Sequence, residues 1–198
     1  MIPVHNQPEL TAACLRSLAA SDSIGSCRVF LVDNASDPAA LEKVAPAVEA
    51  LPNWVLIHKG HNSGFVQATN AGIRVSAAPF VLLLNNDTEV PRDWLGKFLS
   101  TFAADARIGI AGPLSSNPGQ WQGQHERILS WPQQDGHPRY RTLHWPGAML
   151  SFFCAMLRRK MIDEIGLLDE SFGVGLGDDD EYCLRVRRAG WKLALMLD

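Results

Sequence analysis

Two hydrophobic periods alternate along the first half of the chain. In residues 7–20, Leu10, Cys14, Leu15 and Leu18 fall on one face at helical spacing, which predicts an amphipathic helix. Residues 27–32 (CRVFLV) predict a strand that runs out at Asp33-Asn34-Ala35-Ser36. Residues 38–51 predict a second helix, with Asp37 as its cap and Pro38 at the first helical position. A short strand is expected over 54–58. A helix follows over 64–75, with Phe65, Ala68, Ala71 and Gly72 at helical spacing. Residues 79–84 (PFVLLL) form an apolar run without alternation, the pattern of a strand covered on both faces of a parallel sheet. This run ends at Asn85-Asn86-Asp87. A helix over 91–104 and a short strand over 108–111 complete the half.

The second half reads differently. From 113 to 146 the chain is rich in Pro, Gln, Gly, His and Trp, with little periodicity, and Trp121, Trp131 and Trp145 fall here. A stretch this long without regular elements points to a binding or moving loop. A strand over 149–157, a short helix over 160–165 and a helix over 179–189 closed by Gly190 follow. The chain stops inside a further apolar run at 193–198, and Met1-Ile2-Pro3-Val4 is short for a first strand. The expectation is a single domain over 1–198, cut from something longer and truncated at its C-terminus.

Alternating strands and helices predict an α/β fold, an open and mostly parallel sheet flanked by helices. Such sheets bind ligands beyond the carboxyl ends of their strands. Asp33-Asn34 and Asn85-Asn86-Asp87 both stand at strand ends, so one shared site is expected. Composition then narrows the partners. Hydrophobic residues make up 46% and charged residues 20%, as in ordinary globular domains, and the net charge is −3. That charge disfavours binding to a nucleic-acid backbone, so no nucleic-acid partner is expected. Two local basic groups, Arg158-Arg159-Lys160 and Arg185 with Arg187 and Arg188, could still serve an anionic ligand. No apolar stretch approaches the ~20 residues of a spanning helix, and no secretory signal is visible. Cys14, Cys27, Cys154 and Cys183 lie far apart with no CxxC pair, which suggests free buried thiols in a reducing cytoplasm.

Several groups could carry chemistry, and each has a plainer reading. Asp87 follows a rigid strand and could hold Mg²⁺ or Mn²⁺ with substrate phosphates; the alternative is a turn whose side chains bond local backbone. Asp33 could accept from a base or ribose, or form an Asx turn. Asn62-Ser63-Gly64-Phe65 opens a helix whose free N–H groups suit a phosphate, or is an ordinary helix start. The run Asp178-Asp179-Asp180-Glu181 begins a helix that ends in Arg185, Arg187 and Arg188, which matches the helix dipole. Capping needs one carboxylate, though, not four. Crowding raises the pKa of at least one of them, which suits a general base. The loop tryptophans could stack on sugars or anchor the loop. Of the six histidines only His5 stands near the inferred site, and none shows metal-ligand spacing.

In sequence order, these pieces resemble the family 2 glycosyltransferases of GT-A fold. The opening IPVHNQPE, Val32-Asp33-Asn34-Ala35-Ser36, and Asn62-Ser63-Gly64-Phe65 with Ala68, Asn70, Ala71 and Gly72 each match a family motif. Leu82 through Asp87 stands where the family has its DxD-type motif, and 147–172 resembles its G…RR…iG.lDE.F segment. Gly177 through Arg185 stands where the family reads G-E-D-x-D-x-x-x-R. Rhamnosyltransferase-like enzymes of polysaccharide assembly look nearest. The chain departs from the pattern in having Asn85 for the first acid of DxD, Asp178-Asp179 for E-D, and Glu181 for the following Asp. It also ends before a His that members often carry after the next strand.

The resemblance implies inverting transfer of a sugar from a nucleotide-diphosphate sugar to a hydroxyl, in polysaccharide or cell-surface glycan assembly. The acceptor implied is a glycan or lipid-linked glycan. It divides the chain into a nucleotide-binding half, 1–112, and an acceptor-side half, 113–198. Asp179 is implied as the catalytic base, with Asp178 as the fallback. Pro3, His5, Asp33, Asn34, Asn62, Gly64, Asn85 and Asn86 are implied at the nucleotide sugar. Asp87 is implied at a divalent cation, Mg²⁺ or Mn²⁺, and Trp145, Gly147, Asp180 and Glu181 at the acceptor. The expected place is the cytoplasm, with peripheral association at the inner membrane face allowed. Two rivals stay open: a nucleotidyltransferase, and a non-catalytic domain that binds sugar nucleotides or glycans.

Overall fold

The computed structural model describes residues 1–22, 24–114, 140–143, 148–173 and 176–197. Among these residues eight strands run in chain order: β1 (Ile2–Val4), β2 (Val29–Asp33), β3 (Trp54–His58), β4 (Phe80–Leu84), β5 (Ile108–Pro113), β6 (Tyr140–Thr142), β7 (Cys154–Arg158) and β8 (Lys192–Met196). Between them lie α1 (Pro8–Ala19), α2 (Pro38–Glu49), α3 (Gly64–Val75), α4 (Trp94–Ala104), α5 (Arg159–Ile165) and α6 (Asp178–Arg188). Short 3-10 turns occupy Ile24–Ser26 and Glu170–Phe172.

β1, β2 and β3 form a parallel sheet in that order. The other five strands run β4-β7-β5-β8-β6. There β4, β5 and β8 point one way, while β7 and β6 are antiparallel to their neighbours. The Leu84 N–H donates to the Met1 carbonyl at 3.0 Å, which brings the edge strands β1 and β4 of the two sheets together. Side chains alternate across the five-stranded sheet, so successive residues enter opposite cores. Leu83, Ile110, Ala155, Leu157, Leu193 and Leu195 face one core with Ile73 of α3 and Tyr182 and Val186 of α6. Leu84, Ala111, Cys154, Met156, Ala194 and Met196 face the other with Leu15 of α1 and Trp94, Phe98 and Phe102 of α4. Both faces are therefore covered by helices.

Local expectations shift at several points. Leu10 is 47% exposed, and the buried stripe of α1 runs through Thr11 instead, with Cys14, Leu15 and Leu18. In α3, Ala68 and Gly72 are buried as expected, Phe65 and Ala71 are only half-buried, and Val66, Thr69, Asn70 and Ile73 widen the buried face. Asp37 stands at the N-cap of α2 with Pro38 behind it, but its carboxylate makes no capping bond. Instead its N–H donates to Asn6 Oδ1 at 2.8 Å, and the Asn6 N–H donates to Ser36 Oγ at 2.9 Å. Asn6 and Gln7 both take left-handed backbone there. The strand expected over 149–157 begins only at Cys154, and β6 lies inside the stretch expected to be irregular. The four cysteines form no disulfide among the described residues; Cys14, Cys154 and Cys183 are buried and Cys27 is half-buried. Among the described residues no helix is long and apolar enough to cross a membrane.

Candidate active site

An open cleft of about 340 Å³ lies beyond the ends of β1, β2 and β4. Its lining gathers Pro3, His5, Asn34, Asn62, Gly64, Asn85, Asn86 and Asp87 from four separate stretches of sequence. Val4, Gln7 and Phe65, not named above as residues at the nucleotide sugar, line it as well.

Asn34 organises the floor. It is 5% exposed, and its backbone N–H continues the β1–β2 ladder to Val4 O at 2.7 Å. Its Oδ1 accepts from the Ser63 N–H at 2.9 Å and the Ser63 hydroxyl at 3.1 Å. Its Nδ2 donates to Asn62 Oδ1 at 2.6 Å and to Gly64 O at 3.3 Å. Asn62 Oδ1 in turn accepts from the Gly64 N–H at 3.0 Å. Two of the N–H groups expected to await a phosphate at the start of α3 are therefore already satisfied by side chains. Lys59 Nζ donates to Ser63 Oγ and pins the same loop. On the opposite side, His5 Nδ1 donates to the Asn34 carbonyl at 3.1 Å.

Asp33 lies behind this floor, buried at the end of β2. One carboxylate oxygen accepts from the Ser36 N–H at 2.9 Å and the other lies 3.4 Å from His58 Nδ1. It borders a small neighbouring pocket with Asn6 and Ser36 and does not line the main cleft. His58 is thus the second histidine near the site. It sits opposite Asp33 in the β2–β3 register, a cross-strand pairing that spacing along the chain does not reveal.

At the end of β4, Asn85 to Thr88 closes a turn, the Thr88 N–H donating to Asn85 O at 3.2 Å. Asn86 Nδ2 donates to Thr11 Oγ1 at 2.9 Å, which ties the turn to α1. The Asp87 carboxylate is exposed, and among the described residues it has no hydrogen bond or ion pair. Among those residues no group of three His, Cys, Asp or Glu side chains could hold a metal ion. One free carboxylate beside two amides is still a donor set that fits Mg²⁺ or Mn²⁺ when substrate phosphates complete the shell.

The acidic corner stands at the same end of the sheet. β7 is antiparallel to β4, with Leu84 opposite Cys154, and the Asn85 N–H donates to Phe153 O at 2.8 Å. Phe152 meets Tyr182 edge-on at 6.0 Å between ring centres, and the Leu150 N–H approaches Cys183 Sγ at 3.4 Å. The first turns of α6 therefore lie over the chain that feeds into β7, beside the end of β4. The acidic residues Asp178 to Glu181 do not themselves line the cleft.

Within that corner the four carboxylates differ. Asp178 is 7% exposed and accepts from the Leu176 N–H at 3.1 Å, so it holds the loop. Leu176 and Gly177 both have left-handed backbone, at φ 86° and 84°, a turn that glycine takes without strain and leucine does not. Burial raises the Asp179 carboxyl above its ordinary range, reinforced by the charges of Asp180 and Asp178. Asp180 is raised by burial and by Asp178. Glu181 is engaged by Arg185, whose Nε and Nη2 donate to its two oxygens at 3.0 and 2.7 Å. Trp145 and Gly147, implied at the acceptor, lie outside the described residues, as do Trp121 and Trp131.

Comparison with known proteins gives the fold a family. The chain is 26% identical to the succinoglycan biosynthesis protein ExoM of Rhizobium meliloti, over 96% of this chain and 61% of that protein. It is 26% identical to the O-antigen biosynthesis protein RfbC of Myxococcus xanthus, over 98% of this chain and 16% of that protein. The chain thus spans less than two thirds of these relatives. Among solved structures it resembles the mannosyltransferase PcManGT of Pyrobaculum calidifontis, in complex with GDP-Man and Mn²⁺, with a TM-score of 0.75. That likeness covers 100% of this chain and 53% of the other at 18% identity, and shows a shared GT-A fold. The model of the family described as "Glycosyl transferase family 2" matches residues 1–166, and the chain belongs to that family.

Proposed function

We propose that this chain is the catalytic domain of an inverting glycosyltransferase. It moves a hexosyl or rhamnosyl-type sugar from a nucleotide diphosphate to a hydroxyl of a glycan or lipid-linked glycan. The observation that carries this reading is the cleft itself: eight polar or backbone-defining positions from four motifs meet beyond the strand ends, with one unpaired carboxylate at the rim. The named roles of ExoM and RfbC in succinoglycan and O-antigen biosynthesis support a place in glycan assembly. The Mn²⁺ and GDP-Man held by PcManGT support a divalent cation and a sugar nucleotide here.

In this reading His5 and Asp33 contact the nucleoside, while Pro3, Asn34, Asn62, Gly64, Asn85 and Asn86 shape the floor beneath the sugar diphosphate. Asp33 acts from behind that floor, at the small pocket it borders with Asn6 and Ser36. Asp87 holds the cation against the diphosphate. When bound, Mg²⁺ or Mn²⁺ neutralises charge that develops on the leaving group. Asp179 takes the proton of the acceptor hydroxyl. The acceptor oxygen then forms its bond to the anomeric carbon as the bond to the diphosphate breaks on the opposite face. The nucleoside diphosphate leaves with the bonding pair and the configuration inverts. A carboxyl held above its ordinary pKa is the stronger base once ionised. Asp180 and Glu181 flank the acceptor side.

The experiment is a thermal-shift panel of UDP-, dTDP- and GDP-sugars with and without Mn²⁺, followed by product analysis with the sugar nucleotide that stabilises. Release of nucleoside diphosphate together with an inverted glycoside is expected. Formation of the sugar nucleotide from a nucleoside triphosphate and a sugar 1-phosphate, with release of pyrophosphate, would instead mark a nucleotidyltransferase. Binding without turnover, in the full-length protein as well, would mark a non-catalytic domain.

A further inference from the structure

Helix α3 begins at the cleft and runs away from it. Asn70 lies six residues beyond Gly64, about 9 Å along the axis at ~1.5 Å per residue. It is fully buried, and its whole amide engages the segment that follows α5, residues 166–173, irregular but for the 3-10 turn Glu170–Phe172. The Leu168 N–H donates to Asn70 Oδ1 at 3.1 Å. Asn70 Nδ2 donates to Leu168 O at 2.9 Å and to Glu170 Oε1 at 3.0 Å. One helical turn later, Arg74 Nη2 donates to the same Glu170 oxygen at 2.8 Å.

Helix α6 grips this segment from its other side. Arg185 Nη1 donates to Ile165 O at 3.0 Å and Leu167 O at 2.8 Å, and the Tyr182 hydroxyl donates to Gly166 O at 2.8 Å. Four consecutive carbonyls, 165 to 168, thus accept from side chains on two helices. An irregular segment has no ladder to satisfy its backbone, so these side chains set where it can lie. α3 carries the wall of the cleft at one end, and α6 carries the acidic corner at its start. The clasped segment is what joins them.

We infer that Asn70 is a positioning residue: through Leu168 and Glu170 it fixes the acidic start of α6 relative to the cleft floor at Asn62 and Gly64. This rests on the proposed sugar transfer and adds a residue that touches neither donor nor acceptor. Asparagine suits the place because it offers one acceptor and two donors to a backbone N–H, a backbone carbonyl and a carboxylate. Aspartate would set its charge against the Glu170 carboxylate and the Leu168 carbonyl. Alanine would leave the Leu168 groups unpaired.

The test compares Asn70→Ala and Glu170→Ala with wild type in the full chain. Glu170 sits at the rim, its side chain 38% exposed, so its removal does not threaten folding. The readouts are kcat and donor KM, the Kd of UDP, dTDP or GDP with Mn²⁺ by calorimetry, and backbone hydrogen exchange. For Asn70→Ala the expected result is a drop in kcat of at least tenfold, with donor KM and nucleotide Kd within twofold. Amides of 165–173 and 181–186 should exchange at least tenfold faster while those of β2 stay unchanged. Glu170→Ala should move kcat and exchange in the same direction, by about threefold, and it decides alone if Asn70→Ala does not fold. A kcat within twofold of wild type, a parallel loss of kcat and Kd, or unchanged exchange at 181–186 would overturn the inference. If wild type itself transfers no sugar, the functional reading fails separately. The exchange comparison then still decides whether Asn70 couples the segment to α6.

Discussion

Replacing Asn34 by alanine strikes the floor of the cleft, and its effect can be worked from the contacts. Three of its side-chain bonds, to the Ser63 N–H, the Ser63 hydroxyl and Asn62 Oδ1, are 3.1 Å or shorter, and the fourth, to Gly64 O, is 3.3 Å. A net hydrogen bond is worth roughly 0.5–1.5 kcal/mol, and a buried group left unpaired costs about 1–3 kcal/mol. Water from the open cleft can replace part of what is lost, so about 2–3 kcal/mol is expected. For a domain of this size each kcal/mol moves Tm by about 2–4 °C, giving a fall of about 4–12 °C. The assay is thermal denaturation followed by circular dichroism, with nucleotide titration on the folded fraction. Freed from Asn34, the 62–64 loop should bind nucleoside diphosphate at least tenfold more weakly. Asn34→Asp is the control: it keeps the acceptor for Ser63 but loses both donors and adds a charge facing Asn62 Oδ1 and Gly64 O, so it should fall as far. A Tm within about 1 °C of wild type and unchanged nucleotide affinity in both variants would refute Asn34 as the organiser of the cleft.

Other substitutions separate stability from chemistry. Asp87→Ala removes an exposed, unpartnered carboxylate, so unfolding should move by no more than about 0.5 kcal/mol, while Mn²⁺-dependent nucleotide binding weakens at least tenfold in calorimetry. Asp179→Asn should abolish transfer while donor Kd stays within twofold, measured by product formation and titration. The same variant should be more stable than wild type at pH 7. The folded state holds the Asp179 carboxyl above its ordinary value, mainly by burial, so ionising it at neutral pH opposes folding. The gain should shrink as pH falls through the raised folded pKa and vanish below the ordinary value of 3.8, which paired thermal melts at pH 7 and pH 3 would check. Tyr182→Phe removes the bond to Gly166 O and should cost about 1 kcal/mol in urea unfolding.

Much of the first half was legible because local signals and tertiary structure agree there. The strand over 54–58 and the helix over 64–75 have the expected bounds, each set off by polar or glycine-containing turns. The apolar run of β4 was readable as a strand covered on both faces. Its antiparallel partner β7 was not, because hydrophobicity does not encode the direction of a neighbour. β6 was hidden because three residues at a sheet edge carry too little pattern. Leu10 and Asp37 show propensity yielding to context: the α1 stripe shifts onto Thr11, which serves Asn86, and Asn6 takes over the start of α2. The strand-end logic brought His5, Asn34 and Asp87 to one cleft before any comparison. It placed Asp33 there too, and the fold instead turns that carboxylate toward Ser36 and His58. Asn70 was visible as a motif letter, but its partners lie 98 and 100 residues away, a distance no local pattern spans.

The most direct measurement is anomalous diffraction at the manganese edge from crystals grown with Mn²⁺ and the nucleoside diphosphate that the panel selects. The account predicts a manganese peak within direct coordination distance of an Asp87 oxygen, completed by diphosphate oxygens, with the base near His5 and the Asp179 carboxylate facing the diphosphate end. Manganese bound away from Asp87, or a nucleotide lying outside the cleft between Pro3 and Asn62, would contradict it.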